Sequence, residues 1–313
     1  MAYIVLSSQV IYKMTNMGLT QAILTVMSGK LIDGNAVSAS IRSRLAIQVS
    51  SMKEKGISPC LATVLVGNDP ASTIYVQNKQ KAAKQVGIVT QDHRLGDNLQ
   101  EDELALLIDS LNNDPRVHGI LVQLPLPKHI NEFNILNKIM AYKDVDGLTS
   151  LNSGLLLHGK ASLKPCTPSG IMELLDYYNI EIKSRNVTIV NRSILVGKPL
   201  ALLMLERDAT VMICHSKSVN LGHLLSEADI IITAVGDRNR FTLKPEMVRE
   251  NAVVIDVGTN RQSGKLLGDV DFESVREKAS WITPVPGGVG PMTIAMLLSN
   301  TVTAASLSTP STI

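Results

Sequence analysis

The sequence predicts an α/β protein of two domains, each built around a mainly parallel sheet. Short apolar runs alternate with amphipathic segments along most of the 313 residues. The runs are continuous and rich in Val and Ile, as expected of strands covered on both faces. Ser, Asn and Gly cluster near residues 150–165, where we place the boundary between the domains.

The first half contains three predicted helices and two predicted strands. The helices are expected at 36–56, 71–87 and 101–114, and Gly56 and Gly87 stop the first two. A buried strand is expected at 60–67, and a second strand at 117–127 runs into a Pro-rich turn.

The second half repeats the alternation with four short strands and three helices. The strands are predicted at 186–190, 209–213, 229–235 and 252–258, and the helices at 199–207, 221–228 and 290–307. We therefore expect an N-terminal α/β domain (27–160) and a second domain (161–289). The C-terminal helix 290–307 is expected to pack back on the N-terminal domain.

Composition excludes several classes of protein. Hydrophobic residues make up 45% and charged residues 19% of the chain, as in a globular protein with a core. A net charge of +2 and 3% aromatic residues do not indicate a nucleic-acid-binding protein. Cys60, Cys166 and Cys214 are scattered without a C-x-x-C pair, so we expect no disulfide framework, no metal and a cytoplasmic location.

Residues 1–26 form an N-terminal extension that differs from the rest of the chain. The segment contains no acid and a single base, Lys13. Its apolar runs are too short for a membrane span, and it lacks the features of secretory and mitochondrial signals. Two interpretations stay open: an upstream start codon with the protein beginning at Met27, or a weak targeting segment.

A nucleotide-binding loop is predicted at 187–203, where a strand, a tight loop and a helix follow one another. Asn191 stands where a Rossmann-like loop usually has its first glycine, and Ser193 and Gly197 follow. Asn tolerates a left-handed backbone better than other non-glycine residues. The helix N-terminus is then expected to face a pyrophosphate. The alternative is an ordinary turn between a strand and a helix.

The second strand of this unit ends in Cys214, His215, Ser216 and Lys217, without the carboxylate that usually holds the ribose of NAD. Ser216 offers a hydroxyl and Lys217 a positive charge, and the guanidinium of Arg192 suits a phosphate. The sequence therefore predicts NADP rather than NAD. The alternative is that both cations are solvated surface charges.

Polar residues in the first half mark a second candidate site. Tyr75 and Lys79 lie four residues apart on one predicted helix face, and Gln123 ends an apolar strand. Asp144 and Asp146 precede Gly147 in a predicted turn. The alternatives are partial packing for Tyr75, solvation for Lys79 and turn chemistry for Gln123 and the aspartates.

Six segments in order closely resemble the bifunctional methylenetetrahydrofolate dehydrogenase/methenyltetrahydrofolate cyclohydrolase family. They are YVQNKQKAAKQVGI, GILVQLPLPKHI, KDVDGLTSLNSGLL, KPCTPSGI, VIDVGTN and PVPGGVGPMTIAMLL, within a match from about Ile32 to Val302. The resemblance implies NADP-dependent oxidation of methylenetetrahydrofolate and hydrolysis of the methenyl product to formyltetrahydrofolate, in one-carbon metabolism and purine biosynthesis. It also implies a homodimer built mainly through the nucleotide domain.

The resemblance also implies a role for individual residues. Lys79 matches the catalytic lysine, Gln123 the glutamine that hydrogen-bonds it, Tyr75 the tyrosine that stacks on the aminobenzoyl ring, and Asp146 the carboxylate that grips the pterin. Arg192 and Ser216 match the pair that holds the ribose phosphate. Further contacts to cofactor and substrate are expected from Lys217, Val235, Gly236 and Thr259 and from the loop Pro286, Gly287, Gly288 and Val289.

One departure from the family concerns the nucleotide loop, which reads Asn191-Arg192-Ser193 where the family has Gly-Arg-Ser. The Asn side chain adds bulk where the family has none, and its effect on cofactor affinity stays open. On this ground two alternatives remain: a cyclohydrolase without dehydrogenase activity and a nucleotide-binding protein without turnover. A third alternative, a dehydrogenase without hydrolysis, is opposed by the presence of both Lys79 and Gln123.

Overall fold

The computed structural model describes residues 29–262 and 264–308. The predicted extension, residues 1–26, lies outside the described residues. Within those ranges, no helix combines the length and the apolar character that crossing a membrane requires.

The first part of the chain forms a three-stranded parallel sheet with helices around it. Its elements are β1 (Lys30–Leu31), α1 (Gly34–Glu54), β2 (Cys60–Val66), α2 (Pro70–Gln85), β3 (Val89–Leu95), α3 (Glu101–Asn113), β4 (Gly119–Val122), α4 (Glu132–Lys138), α5 (Ser150–Leu157) and α6 (Cys166–Tyr177). The strand order is β3-β2-β4, and both pairings are parallel. Every residue of β2 is buried, as its continuous apolar sequence predicts.

Several elements of this part differ from the predictions, and β1, β3 and α4 were among those not predicted. β3 is a half-exposed edge strand, and its polar sequence VTQDHRL carries no apolar run. The strand predicted at 117–127 ends at Val122, because Pro125 lacks the N–H that would extend the ladder. α5 and α6 were not predicted; in α6, Pro168 and Gly170 weaken the helical pattern.

The second part forms a six-stranded parallel sheet to which β1 also belongs. Its elements are β5 (Asn186–Val190), α7 (Gly197–Leu205), β6 (Thr210–Cys214), α8 (Leu221–Ser226), β7 (Ile230–Thr233), β8 (Val253–Asp256), β9 (Asn260–Gln262), β10 (Lys265–Leu267), α9 (Phe272–Arg276), β11 (Trp281–Ile282) and α10 (Val289–Leu307). β9 and β10 form a separate antiparallel hairpin. The four predicted strands are all present, and the sheet confirms the Rossmann-like expectation.

The strand order β1-β11-β8-β7-β5-β6 places a topological switch point beside β5. The chain leaves β5 for β6 on one side and returns to β7 on the other. In open parallel sheets a crevice forms at such a reversal, outside the carboxyl ends of the strands, and ligands bind there. The predicted nucleotide loop directly follows β5 and therefore lies at this crevice.

The C-terminal helix α10 packs against α1 and α6, which confirms that it returns to the N-terminal part. The side chain of Asn300 in α10 donates to the carbonyls of Val145 and Lys164, at 2.8 Å each. Gly34 begins α1 against the loop before α10, where a Cβ atom would lie 1.8 Å from the Gly288 carbonyl oxygen. Helix and loop therefore hold the two halves together at the candidate site. The exact domain boundary at 160/161 stays a prediction.

Candidate active site

A cavity of about 780 Å³ lies where α1 and α2 meet the loops that follow β8 and β11. It brings together residues that the sequence analysis selected from both halves of the chain. These are Tyr75, Lys79, Gln123, Thr259, Pro286, Gly287, Gly288 and Val289. Asp146 and the residues of the nucleotide loop are not part of its lining.

Lys79 and Gln123 form the polar pair of this cavity. Helix α2 carries Lys79. Its N-cap is Asp69, whose carboxylate accepts from the Ser72 N–H at 2.7 Å, and Pro70 is its first residue. The Lys79 side chain is 9% exposed, and its Nζ donates to Gln123 Oε1 at 3.0 Å. Gln123 Nε2 donates to the Leu124 carbonyl at 2.7 Å, which turns Oε1 toward the amine.

Within residues 29–262 and 264–308, the Lys79 amine hydrogen-bonds an amide and no carboxylate. The neutral Gln123 amide accepts one N–H from the amine and so orients it without adding a charge to the cavity. One turn before Lys79, Tyr75 is 42% exposed and lines the cavity. Its ring is accessible to a planar ligand that reaches the amine.

The two aspartates of the segment KDVDG have different surroundings. Asp144 is buried, and its carboxylate accepts from the N–H groups of Leu148 and Thr149 and from the Asn152 side chain. These hydrogen bonds stabilise the turn before α5, so Asp144 has a structural role there. Burial raises the pKa of Asp146, while the charge of Lys79 and a hydrogen bond from Cys166 lower it. Asp146 thus lies within electrostatic reach of the amine.

The nucleotide loop connects β5 to α7. Asn191 Oδ1 accepts from the Ser193 N–H at 2.7 Å and from the Gly197 N–H at 3.0 Å, and Nδ2 donates to the Ala234 carbonyl at 2.6 Å. The Lys198 N–H donates to the Ser193 carbonyl at 3.0 Å. The expectation that the helix N-terminus faces a pyrophosphate is therefore revised, since the N–H groups of Gly197 and Lys198 have acceptors inside the loop.

Gly197 is required by a close approach of the backbone. A Cβ atom at this position would lie 2.1 Å from the Asn191 carbonyl oxygen. Any larger residue would push α7 away from the end of β5.

Arg192, Ser216 and Lys217 lie at one edge of the sheet. β5 and β6 are parallel neighbours, with Val190 opposite Cys214. Arg192 and Ser216 each follow these strand ends by two residues, and Lys217 comes next. All three side chains are exposed. In the part of the chain that the structure describes, no ion pair involves Arg192 or Lys217.

Two buried carboxylates that the sequence analysis missed organise the opposite side of the crevice. Asp269 accepts from the N–H groups of Val235 and Gly236, at 2.6 and 3.0 Å, and so places these two predicted cofactor residues. Asp256 lines the cavity and accepts from the N–H groups of Gly258, Asp269 and Val270. A sequence signal exists, since Asp256 ends the apolar strand β8, where an unpaired acid would be costly.

The pKa of Asp256 makes the stability of the fold depend on pH. Burial raises this pKa to about 6 from an ordinary value of 3.8, and the charge of Asp269 adds to the rise against the opposing N–H donors. Between these two pH values the folded chain binds more protons at Asp256 than the unfolded chain does. Stability therefore falls as pH rises through this range, by on the order of 3 kcal/mol from this group.

We expect Asp256→Asn to remove this dependence, because the amide does not titrate. The free energy of unfolding of the wild type, minus that of Asp256→Asn, should decrease between about pH 4 and about pH 7.5. Urea denaturation at the two pH values measures both terms. A constant packing cost of the amide cancels in this comparison. A difference that does not change with pH would contradict the shifted pKa.

A metal centre is not indicated within residues 29–262 and 264–308, since no group of three or more His, Cys, Asp and Glu side chains converges there. The cation-rich edge beside β5 and β6 and the crevice at the switch point do fit a phosphorylated dinucleotide. The exposed guanidinium of Arg192 supplies donors that suit a phosphate.

Comparison with known proteins matches both halves of the chain to one family. The model of the tetrahydrofolate dehydrogenase/cyclohydrolase catalytic domain matches residues 32–146, and that of the corresponding NAD(P)-binding domain matches residues 165–309. The bifunctional protein FolD of Nitrosopumilus maritimus is 56% identical over 282 residues, which cover 90% of this chain and 98% of the relative.

Solved structures agree with these matches. The crystal structure of the bifunctional enzyme FolD from Campylobacter jejuni is 48% identical with a TM-score of 0.87, covering 90% of this chain and 99% of that one. The Trypanosoma brucei methylenetetrahydrofolate dehydrogenase-cyclohydrolase, solved with NADP and an inhibitor, is 36% identical with a TM-score of 0.86. The match covers 90% of this chain and 98% of the trypanosome chain.

Proposed function

Because this chain belongs to the tetrahydrofolate dehydrogenase/cyclohydrolase family, we propose that it oxidises 5,10-methylenetetrahydrofolate with NADP and hydrolyses the methenyl product to 10-formyltetrahydrofolate. The observation that carries the proposal is the contact between Lys79 and Gln123 in a cavity that the loop 286–289 also lines. One cavity is thus lined both by the pair proposed for hydrolysis and by the loop proposed to lie beside the cofactor and the substrate.

NADP, when bound, accepts the hydride that leaves the methylene carbon. Arg192 and Ser216 would hold its ribose phosphate, with Lys217 adding positive charge at the same sheet edge. Val235 and Gly236, placed by Asp269, would contact the dinucleotide across the crevice. NAD lacks the ribose phosphate and would gain nothing from Arg192, which is why we propose NADP.

The folate would occupy the cavity beside α2. Tyr75 offers an exposed ring for stacking on the aminobenzoyl group. Asp146 would accept hydrogen bonds from the N–H groups of the pterin. Gly287 and Gly288 allow the backbone of the loop to approach the substrate closely, since neither carries a side chain.

Hydrolysis requires a base close to the methenyl carbon. The methenyl product is a cation, and the Lys79 amine, hydrogen-bonded to Gln123, is the base that the cavity offers. Water adds to the methenyl carbon while the amine accepts a proton from the water. The adduct then opens by breaking a carbon–nitrogen bond, and the released ring nitrogen receives a proton. Gln123 orients the amine during both steps.

The alternatives depend on which half of this arrangement is intact. Retention of both Lys79 and Gln123, in contact, argues against a dehydrogenase without hydrolysis. The folate-side residues argue against a nucleotide-binding protein without turnover. A cyclohydrolase without dehydrogenase activity requires that Asn191 has damaged the nucleotide loop.

An assay with purified protein tests the proposal. We expect methylenetetrahydrofolate to be oxidised faster with NADP than with NAD, seen as methenyl absorbance, which should then decay faster than in buffer. If neither cofactor supports oxidation but the protein accelerates the decay of added methenyltetrahydrofolate, the chain is a cyclohydrolase without dehydrogenase activity. No effect on either compound would refute the proposal.

We also propose that the chain forms a homodimer through its nucleotide-binding part. Among the described residues, β6 is an edge strand of the large sheet, so its outer side pairs with no further strand there. Met212 and Ile213 on this strand are 42% and 39% exposed. Sedimentation of the purified chain at micromolar concentration tests the proposal, and a monomer would contradict it.

A cytoplasmic location is proposed as well, since all three cysteines are free and buried.

A further inference from the structure

The side chain of Asn191 lies inside the nucleotide loop. Its Oδ1 is shared between the N–H groups of Ser193 and Gly197, and its Nδ2 reaches the Ala234 carbonyl beyond the end of β7. A Cβ atom on Gly197 would lie 2.8 Å from Oδ1, so the carboxamide packs against the start of α7. The side chain therefore points into the protein rather than toward the space outside the loop.

These three hydrogen bonds join the parts of the chain that form the crevice. Ser193 belongs to the loop, Gly197 to α7, and Ala234 to the segment after β7 on the far side of the switch point. A loop that is already held in one shape loses little conformational entropy when a ligand binds. A glycine at position 191 would have no side chain to supply these contacts and a more flexible backbone.

The hydrogen bonds also decide which N–H groups face outward. The amides of Val196, Gly197 and Lys198 all have acceptors within the loop. Among the residues that the structure describes, none accepts from the N–H groups of Ile194 and Leu195 at the loop tip. An anion would therefore meet the tip of the loop, next to Arg192, rather than the first turn of α7.

We propose that Asn191 is a positioning residue for the dinucleotide, whose carboxamide holds the loop 191–197 in its binding shape. The inference rests on the proposed function for the identity of the ligand, NADP. It assigns to this chain a loop that is ordered by its own side chain before the cofactor binds.

Replacement of Asn191 by alanine separates this proposal from crowding. Loss of the three hydrogen bonds should raise the Kd for NADPH by about tenfold, and the KM for NADP should rise in parallel. The kcat at saturating NADP and the hydrolysis of added methenyltetrahydrofolate should stay within about twofold of wild type, since a pre-formed loop affects cofactor binding alone. If the side chain crowded the cofactor, Asn191→Ala would bind NADPH more tightly.

Calorimetric titration with NADPH gives the Kd without any turnover, so the test does not depend on the proposed reaction. Asn191→Gly serves as a second variant that should bind at least as weakly as Asn191→Ala. Asn251→Gly is the matched control. Asn251 is exposed, has a φ of 64° and precedes β8, so it lies at the amino ends of the strands, away from the nucleotide loop at their carboxyl ends. We expect this control to bind NADPH like the wild type.

Unchanged or tighter binding by Asn191→Ala would overturn the positioning role. A wild type that binds NADPH but does not oxidise methylenetetrahydrofolate would refute the proposed function. The positioning role of Asn191 would then be judged from the Kd values for NADPH alone. A folded wild type that binds no dinucleotide would overturn both.

Discussion

Lys79→Met is expected to lower the rate of methenyltetrahydrofolate hydrolysis by about 10²–10⁴-fold, the usual contribution of a general base. Methionine is similar in length to lysine, but its thioether cannot take a proton from water. The change also leaves Gln123 Oε1 without the donor that it contacts at 3.0 Å. The decay of added methenyltetrahydrofolate, compared with decay in buffer, measures the loss.

Lys84→Met provides the control for this prediction. Lys84 lies in the last turn of the same helix, α2, and its side chain is exposed. It is not part of the cavity lining. We expect hydrolysis by Lys84→Met to equal that of the wild type. If Lys79→Met hydrolyses the substrate at the wild-type rate, Lys79 is not the base and the mechanism is wrong.

Arg192→Ala is expected to raise the KM for NADP by about 10–100-fold, because hydrogen bonds to charged groups contribute roughly 1.5–3 kcal/mol each. The KM for NAD should change by less than about threefold, since NAD has no phosphate on the ribose. The guanidinium is exposed and forms no ion pair within the described residues, so its removal breaks no ion pair there. Initial rates with each cofactor measure the ratio.

Arg185→Ala is the control for Arg192, because Arg185 precedes the same strand, β5, at its amino end. There it pairs with Glu181, and solvent screens the pair. We expect both KM values of Arg185→Ala to match the wild type. Equal losses for NADP and NAD in Arg192→Ala would mean that the arginine does not read the ribose phosphate.

The cofactor predictions for Asn191 and Arg192 are distinguishable from each other. Asn191 shapes the whole loop and contacts no part of the ribose phosphate in the proposed arrangement. Its replacement should therefore weaken NADP and NAD by similar factors, whereas replacement of Arg192 should change their ratio. A variant series with both cofactors thus separates loop shape from phosphate recognition.

The sequence by itself determined the α/β class, the four strands of the nucleotide-binding part and the membership of Lys79 and Gln123 in one site. Buried parallel strands such as β5 and β7 are continuous apolar runs, which sequence patterns reveal directly. The missing acid after β6 and the cation at Arg192 are likewise visible, because strand ends in register bring residues of neighbouring strands together.

Only the tertiary structure decided the elements that depend on distant parts of the chain. β1 and β11 have two residues each and exist because β1 pairs with β11 and β11 pairs with β8. Asp269 holds Val235 and Gly236 from more than thirty residues away. The orientation of Asn191 depends on the Ala234 carbonyl, 43 residues along the chain. The sequence shows which donors and acceptors are available, but packing decides which of them come within hydrogen-bonding distance.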